Sequence, residues 1–160
     1  MATQIYPTFV DSAGESGAVR EFWIKMEGLI GDDTGDTVVN TVENPMQEDL
    51  VILEALMDVK TAGGAVDGEF DIGLGDDVDG EDAAEICDAV TNTITNAVGV
   101  WELGVVHAIA TPPVKVIWKA PNADGDATHS WLTTYQDGAQ DLSSLVYNLL
   151  VKVIPYNDLV

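Results

Sequence analysis

Short apolar runs alternate with breaks rich in Gly, Asp, Asn and Pro along the whole chain, and that rhythm predicts a β-sandwich or barrel. Residues 18–26 (AVREFWIKM) place Val19, Phe22, Ile24 and Met26 between polar positions, an imperfect period of two. GDDTGD at 31–36 reads as a turn, TVVNTV at 37–42 as a short strand, and Asn44-Pro45 as a break. Residues 49–59 (DLVILEALMDV) fit two periods. Leu50, Leu53, Leu56 and Met57 suit a helix, while Val51, Leu53, Ala55, Met57 and Val59 suit a strand. The strand is favoured, because TAGGAVDG follows as a turn and EFDIGL resumes as a strand, which together predict a hairpin.

DDVDGED at 76–82 reads as a loop, and AAEICDAV at 83–90 is the best helix candidate, about two turns long. VGVWELGVV at 98–106 and VKVIWKA at 114–120 are predicted strands, split by Thr111-Pro112-Pro113. PNADGDA at 121–127 is a loop before the strand HSWLTTY at 129–135, and LVYNLLVKVIP at 145–155 is a long terminal strand. The count is about eight strands, the number a jelly roll uses. The predicted fold is therefore all-β: a single jelly-roll or β-sandwich over residues 17–160, with one short helix, behind an extended N-terminal arm over residues 1–16. No repeat of solenoid or propeller length is visible.

Charge changes this picture. Among 160 residues there are 28 Asp and Glu against 6 Lys and Arg, a formal net charge of -22, while hydrophobic residues make up 46%. That apolar content builds a core, so the acidity belongs to a folded surface rather than a disordered tail. A surface this charged repels itself in dilute buffer. Molar salt shortens the reach of the repulsion to about 3 Å. The composition thus reads as adaptation to brine. Arg20, Lys25, Lys60, Lys115, Lys119 and Lys152 form no basic stripe, so nucleic acid and anionic membrane are not expected partners.

Candidate chemistry is sparse. Cys87 is alone and has Glu81, Glu85 and Asp88 around it in sequence, so it reads as a small buried residue and not a reactive thiol. An EF-hand alignment with Gly80 as the turn glycine puts Gly75 first and Ile86 at the bidentate position; around Gly125 it puts Ala120 first. Neither supplies calcium's ligands, although a looser oxygen site stays open. His107, in GVVHAIA, reads as a half-buried strand residue, and His129 stands beside Ser130 without a legible triad. No metalloprotease, nucleophile-elbow, Walker A or dinucleotide motif occurs. No catalytic, metal or cofactor residue is assigned, and no enzyme is expected. Trp23, Trp101, Trp118 and Trp131 lie in apolar strand patterns, which favours core or subunit interface over sugar stacking. MATQIYPTFV lacks the features of a secretory signal, and no run approaches a membrane span, so synthesis in the host cytoplasm is expected.

From about residue 44 onward the order of features resembles a family of small virion proteins of tailed viruses. The likeness is carried by NPMQEDLVILEALMDVKT, by GEFDIGLGDDVDGED and by YNLLVKVIPYND, and covers roughly three-quarters of the chain. Its motifs are turns and strand ends, and residues 1–43 carry none of it. The resemblance implies a jelly-roll protein that decorates or cements a capsid or forms a turret; the acidity and the segment after Asp82 depart from the family pattern and suggest a virus of a halophilic archaeal host. It implies the outer capsid surface as location, the major capsid protein as partner, and self-association, a homotrimer in the first instance. Ile5, Tyr6, Pro7 and Phe9 in the arm are the expected grip on the shell or a neighbouring subunit. The rival readings are a single jelly-roll major capsid protein of a tailless virus and a glycan- or host-surface-binding module of an appendage.

Overall fold

The computed structural model describes residues 3–4, 8–10, 20–33, 35–64, 69–76, 79, 86–90, 92–103, 116–121, 129–137 and 141–159. The strands are β1 (Thr3–Gln4), β2 (Thr8–Val10), β3 (Phe22–Ile30), β4 (Thr37–Glu43), β5 (Leu50–Thr61), β6 (Glu69–Gly75), β7 (Cys87–Val90), β8 (Gly99–Leu103), β9 (Ile117–Trp118), β10 (Trp131–Asp137) and β11 (Val146–Pro155). One helical turn, α1, spans Asn92–Thr95. Two sheets form: sheet A in the order β1-β4-β10-β6-β7, and sheet B in the order β2-β3-β11-β5-β8, with β9 beside β5.

The antiparallel pairs nest. β3 pairs β11, β4 pairs β10, β5 pairs β8 and β6 pairs β7. This is one long hairpin rolled across two sheets, the defining topology of the eight-stranded jelly roll. All-β architecture and the sandwich are therefore as the sequence predicts. The terminal segment adds to the open edge of each sheet: Thr3–Gln4 runs parallel to β4, and Thr8–Val10 runs antiparallel to β3.

Alternation fills the space between the sheets. Ile24, Met26, Met57, Val59, Leu149 and Val151 from sheet B meet Phe70, Ile72, Leu74, Val42 and Leu132 from sheet A, all essentially without solvent contact. The rings of Phe70 and Tyr147 lie 5.9 Å apart across the layers, tilted at 59°, within the range where aromatic pairs attract. Trp118 is fully buried and donates its indole N–H to the Ser130 carbonyl at 2.8 Å. Leu50–Thr61 is strand throughout, which resolves the double periodicity of this segment.

Two local expectations are corrected. The helix expected at 83–90 is not one at its far end: Cys87–Val90 is strand β7. Its register against β6, Phe70 to Val90 and Ile72 to Cys87, sets two steps on β6 against three on β7. This bulge turns Cys87 and Val90 to the core at a spacing of three, which in sequence imitates a helix face. The hairpin expected between 49–59 and EFDIGL is absent as well, because β5 lies in sheet B and β6 in sheet A. The connection that leaves β5 through Gly63 and Gly64 therefore joins two layers instead of making a tight turn within one.

That corner meets two others. The backbone of Leu142, in the β10–β11 connection, donates to the Asp32 carbonyl at 2.7 Å, and Gly31 donates to the Leu145 carbonyl at 3.1 Å. A β-carbon on Gly31 would collide with the Leu142 carbonyl oxygen, and one on Gly63 would stand 2.6 Å from Leu142 Cδ2. Leu142 is thus wedged between the β3–β4 and β5–β6 corners and closes that end of the core.

Candidate functional site

Apolar side chains pack between the two sheets, and the outer faces and edges present the polar and charged groups. The two outer faces differ in charge. The strands of sheet A carry Glu43, Glu69, Asp71, Asp88 and Asp137 and no lysine or arginine. The strands of sheet B carry Glu27, Glu54, Asp58 and Glu102 against Lys25, Lys60 and Lys152. The strands of one layer hold five acids and no basic residue, and those of the other hold four acids with three lysines.

Pairing and parity build the outer face of sheet B. Core-facing Ile24, Met57 and Leu149 fix the alternation, so Trp23, Lys25, Leu56, Asp58, Leu150 and Lys152 point outward. The register aligns Lys25 with Leu150, Leu150 with Leu56, and Leu56 with Glu102, a row across four strands. The neighbouring row runs Trp23, Lys152, Glu54. Lys152 reaches Glu21 at 3.0 Å and Glu54 at 3.2 Å, and these hydrogen bonds raise its pKa. Lys25 pairs with Glu27 and Lys60 with Asp58. Trp23, Leu56 and Leu150 are half-buried among these pairs. The face is charge-balanced, with an apolar centre of Leu56 and Leu150.

The outer face of sheet A holds Trp131 and Tyr135, with Glu43 and Gly75 beside Trp131 and Val38 and Asp71 beside Tyr135. Between them the row Thr41, Thr133, Gly73 is closed to solvent, and Thr41 Oγ1 has no hydrogen-bond partner. An open sugar platform would leave that row accessible.

Polar side chains fasten the loops. Asn40, fully buried on the inner face, donates to the Ile30 carbonyl at 2.9 Å and to Thr134 Oγ1 at 2.8 Å. Burial pushes the neighbouring Tyr147 hydroxyl well above its ordinary pKa, against hydrogen bonds from Thr134 and Asn40. Asn44 donates to the carbonyls of Trp118 and Lys119 at 2.9 Å each and of Glu48 at 3.2 Å, and accepts from the Met46 N–H at 2.8 Å. Asp49 accepts from Lys119 Nζ at 2.7 Å and from the Ala120 N–H at 2.9 Å. Burial alone would raise the Asp49 pKa, but these two donors hold it below the usual carboxylate value.

The residues singled out in the sequence disperse. Phe9 lies in β2 opposite Ile24, while Ile5, Tyr6 and Pro7 lie outside the described residues. His107 and the centre of the loop at 121–127 also lie outside them, as does most of 76–82. His129 has a left-handed backbone, φ 63°, with its N–H given to Asp76 Oδ1 at 2.9 Å and its carbonyl accepting from Lys119. Cys87 is buried, and that burial raises its thiol pKa, with Asp71 and Asp88 adding to the effect. Of the tryptophans, Trp118 is core, while Trp23, Trp101 and Trp131 are half-buried. Among the described residues no group of three or more His, Cys, Asp or Glu is placed to hold a metal ion, and no helix is long and apolar enough to cross a membrane.

The charge difference between the layers was missed by sequence reasoning. Its signal, one lysine at an outward position in each of β3, β5 and β11, becomes visible once the strand pairing is known. No protein-family model and no curated protein matches the chain.

Proposed function

We propose that this chain is a structural virion protein, a capsid decoration, cement or turret subunit on the outside of a particle. The observation that carries the reading is the unequal charge of the two jelly-roll layers. Sheet B, with its balanced ion pairs around Leu56 and Leu150, is the layer that meets the major shell protein. Sheet A, whose strands carry acids alone, is the layer turned away from the shell. An interface core depleted of net charge and framed by paired polar groups is the ordinary anatomy of a protein–protein contact. A chain of net charge -22 that lined packaged genome would repel its phosphates, which favours the outer location.

The terminal segment contributes at the edge of this layer. Ile5, Tyr6, Pro7 and Phe9 belong to the stretch that adds strands to both sheets, and they extend the contact toward the shell or a neighbouring subunit. On the particle, subunits gather around a symmetry axis of the shell, and the homotrimer anticipated for a decoration protein is an arrangement held by the shell and not the assembly of the free chain. The surface acids serve solubility in a salt-rich environment of a halophilic, archaeal host. A single jelly-roll major capsid protein shares this fold and is separated by copy number per particle.

A binding assay on particles stripped of this chain tests the proposal. Leu56→Glu places a charge at the centre of sheet B's outer face and is expected to weaken rebinding tenfold or more, about 1.4 kcal/mol or above. Glu69→Lys on sheet A is expected to leave rebinding unchanged. Equal binding by both variants, or failure of the unaltered protein to bind, rejects the reading.

A further inference from the structure

We infer that the free edge of β8 is a self-association site, where two copies pair antiparallel about a two-fold axis through Val100. This inference stands apart from the virion reading. β8 ends sheet B, held by β5 on one side and bordered by no described strand on the other. Val98 and Val100 are the most exposed large hydrophobic residues described, at 68% and 64%. The only charge on this short edge is Glu102, and the stronger devices that keep edges apart are missing. Gly99–Leu103 contains no lysine, no proline and no bulge.

The sequence of this edge is complementary to itself and to little else on so acidic a chain. With the axis at Val100, the two valines meet, Gly99 faces the partner copy's Trp101, and Val98 faces the partner's Glu102. The register therefore opposes no pair of like charges, and it sets an indole over a glycine, a favourable cross-strand arrangement. Asp58, opposite Val100 on β5, is neutralised by Lys60. The strands of sheet A, with acids and no lysine or arginine, would set like charges against a second copy. The occupant is thus a second copy, and the closed assembly is a dimer with a continuous sheet B rather than an open fibre.

Light scattering on the purified full chain, with salt as the variable, tests this. The scattering mass is expected to reach twice the monomer in molar salt, with a dissociation constant about tenfold or more below that at 0.1 M salt, as the repulsion is screened. Val100→Lys, which sets two ammonium groups on the axis, is expected to return the monomer. Val100→Cys is expected to form disulfide-linked dimers joined at position 100 many times faster than Ile30→Cys, an exposed site on β3. A monomer or trimer in molar salt overturns the inference whatever the variants do, and so does equal cross-linking at positions 30 and 100. A dimer that does not bind particles rejects the virion reading and leaves this one; a monomer that binds them does the reverse.

Discussion

Leu142 lies so close to Gly31 that no side chain fits between them: its carbonyl oxygen and β-carbon occupy the space a β-carbon on Gly31 would need. Gly63 meets the same leucine from the other side, at the end of its side chain. The two contacts differ in kind, and that difference is measurable. Backbone cannot yield as a methyl can. Gly31→Ala is expected to cost about 3 kcal/mol and Gly63→Ala about 1 kcal/mol. Leu142→Ala removes Cδ2 and should relieve the Gly63→Ala clash but not that of Gly31→Ala. Urea midpoints of the singles and doubles report this as coupling in one cycle and none in the other.

Asn44 ties the β4–β5 connection to the end of β9 through four hydrogen bonds. Asn44→Ala leaves the carbonyls of Trp118 and Lys119 without their side-chain donor, and the loss is expected to be about 3 kcal/mol, as for buried groups left unsatisfied. Asn44→Asp keeps the acceptor for Met46 but loses the amide donor, so it should recover little. Chemical denaturation at fixed pH and salt measures both.

Acid stability follows from Asp49. Its pKa is lower in the folded than in the unfolded chain, so its contribution is fully present above the unfolded value, about 3.9. It is lost as the pH falls through the lower folded value. Asp141, held down by Ser143, and Asp158, held down by Arg20, act in the same direction. Asp33 acts oppositely: its neighbour Asp32 raises its pKa, so protonation relieves a repulsion. Urea midpoints across the acid range in molar salt are expected to decline less steeply for Asp49→Asn than for the unaltered chain. Parallel curves would show that the Lys119 and Ala120 contacts contribute nothing.

Salt should act on folding itself. With 28 acids against 6 bases, repulsion is longest-ranged in dilute buffer, where the screening length is about 30 Å at 0.01 M. The urea midpoint is expected to rise steadily from 0.01 M to 1 M salt. A chain equally stable at both ends of that range does not depend on brine.

These particulars show which parts of the structure were legible in the sequence. Alternation in residues 37–42, 49–59 and 145–155 marks strands, because each buries one or both faces on a local period of two. The β7 segment misleads, because its bulge spaces Cys87 and Val90 like residues on a helix. Gly28 hides the end of β3 in the same way: its left-handed backbone, φ 70°, looks like a break, yet its N–H is taken by Asn148 Oδ1 and the strand continues to Ile30. Layer membership was illegible at the β5–β6 corner, where a glycine-rich connection reads alike whether it turns within a sheet or crosses between two. Nested pairings such as β3 with β11 join residues more than a hundred positions apart, and a local pattern carries no trace of them. The charge asymmetry depends on those pairings and stayed hidden with them.

We propose that this acidic jelly roll stands on the outside of a particle with sheet B toward the shell. A particle reconstruction that traces this chain tests it most directly. The account predicts the eight nested strands above the shell, with Trp23, Leu56, Leu150 and Lys152 against the major shell protein and Glu43, Glu69 and Asp137 toward solvent. A chain found on the inner wall, or oriented with sheet A against the shell, or missing from purified particles, would contradict it.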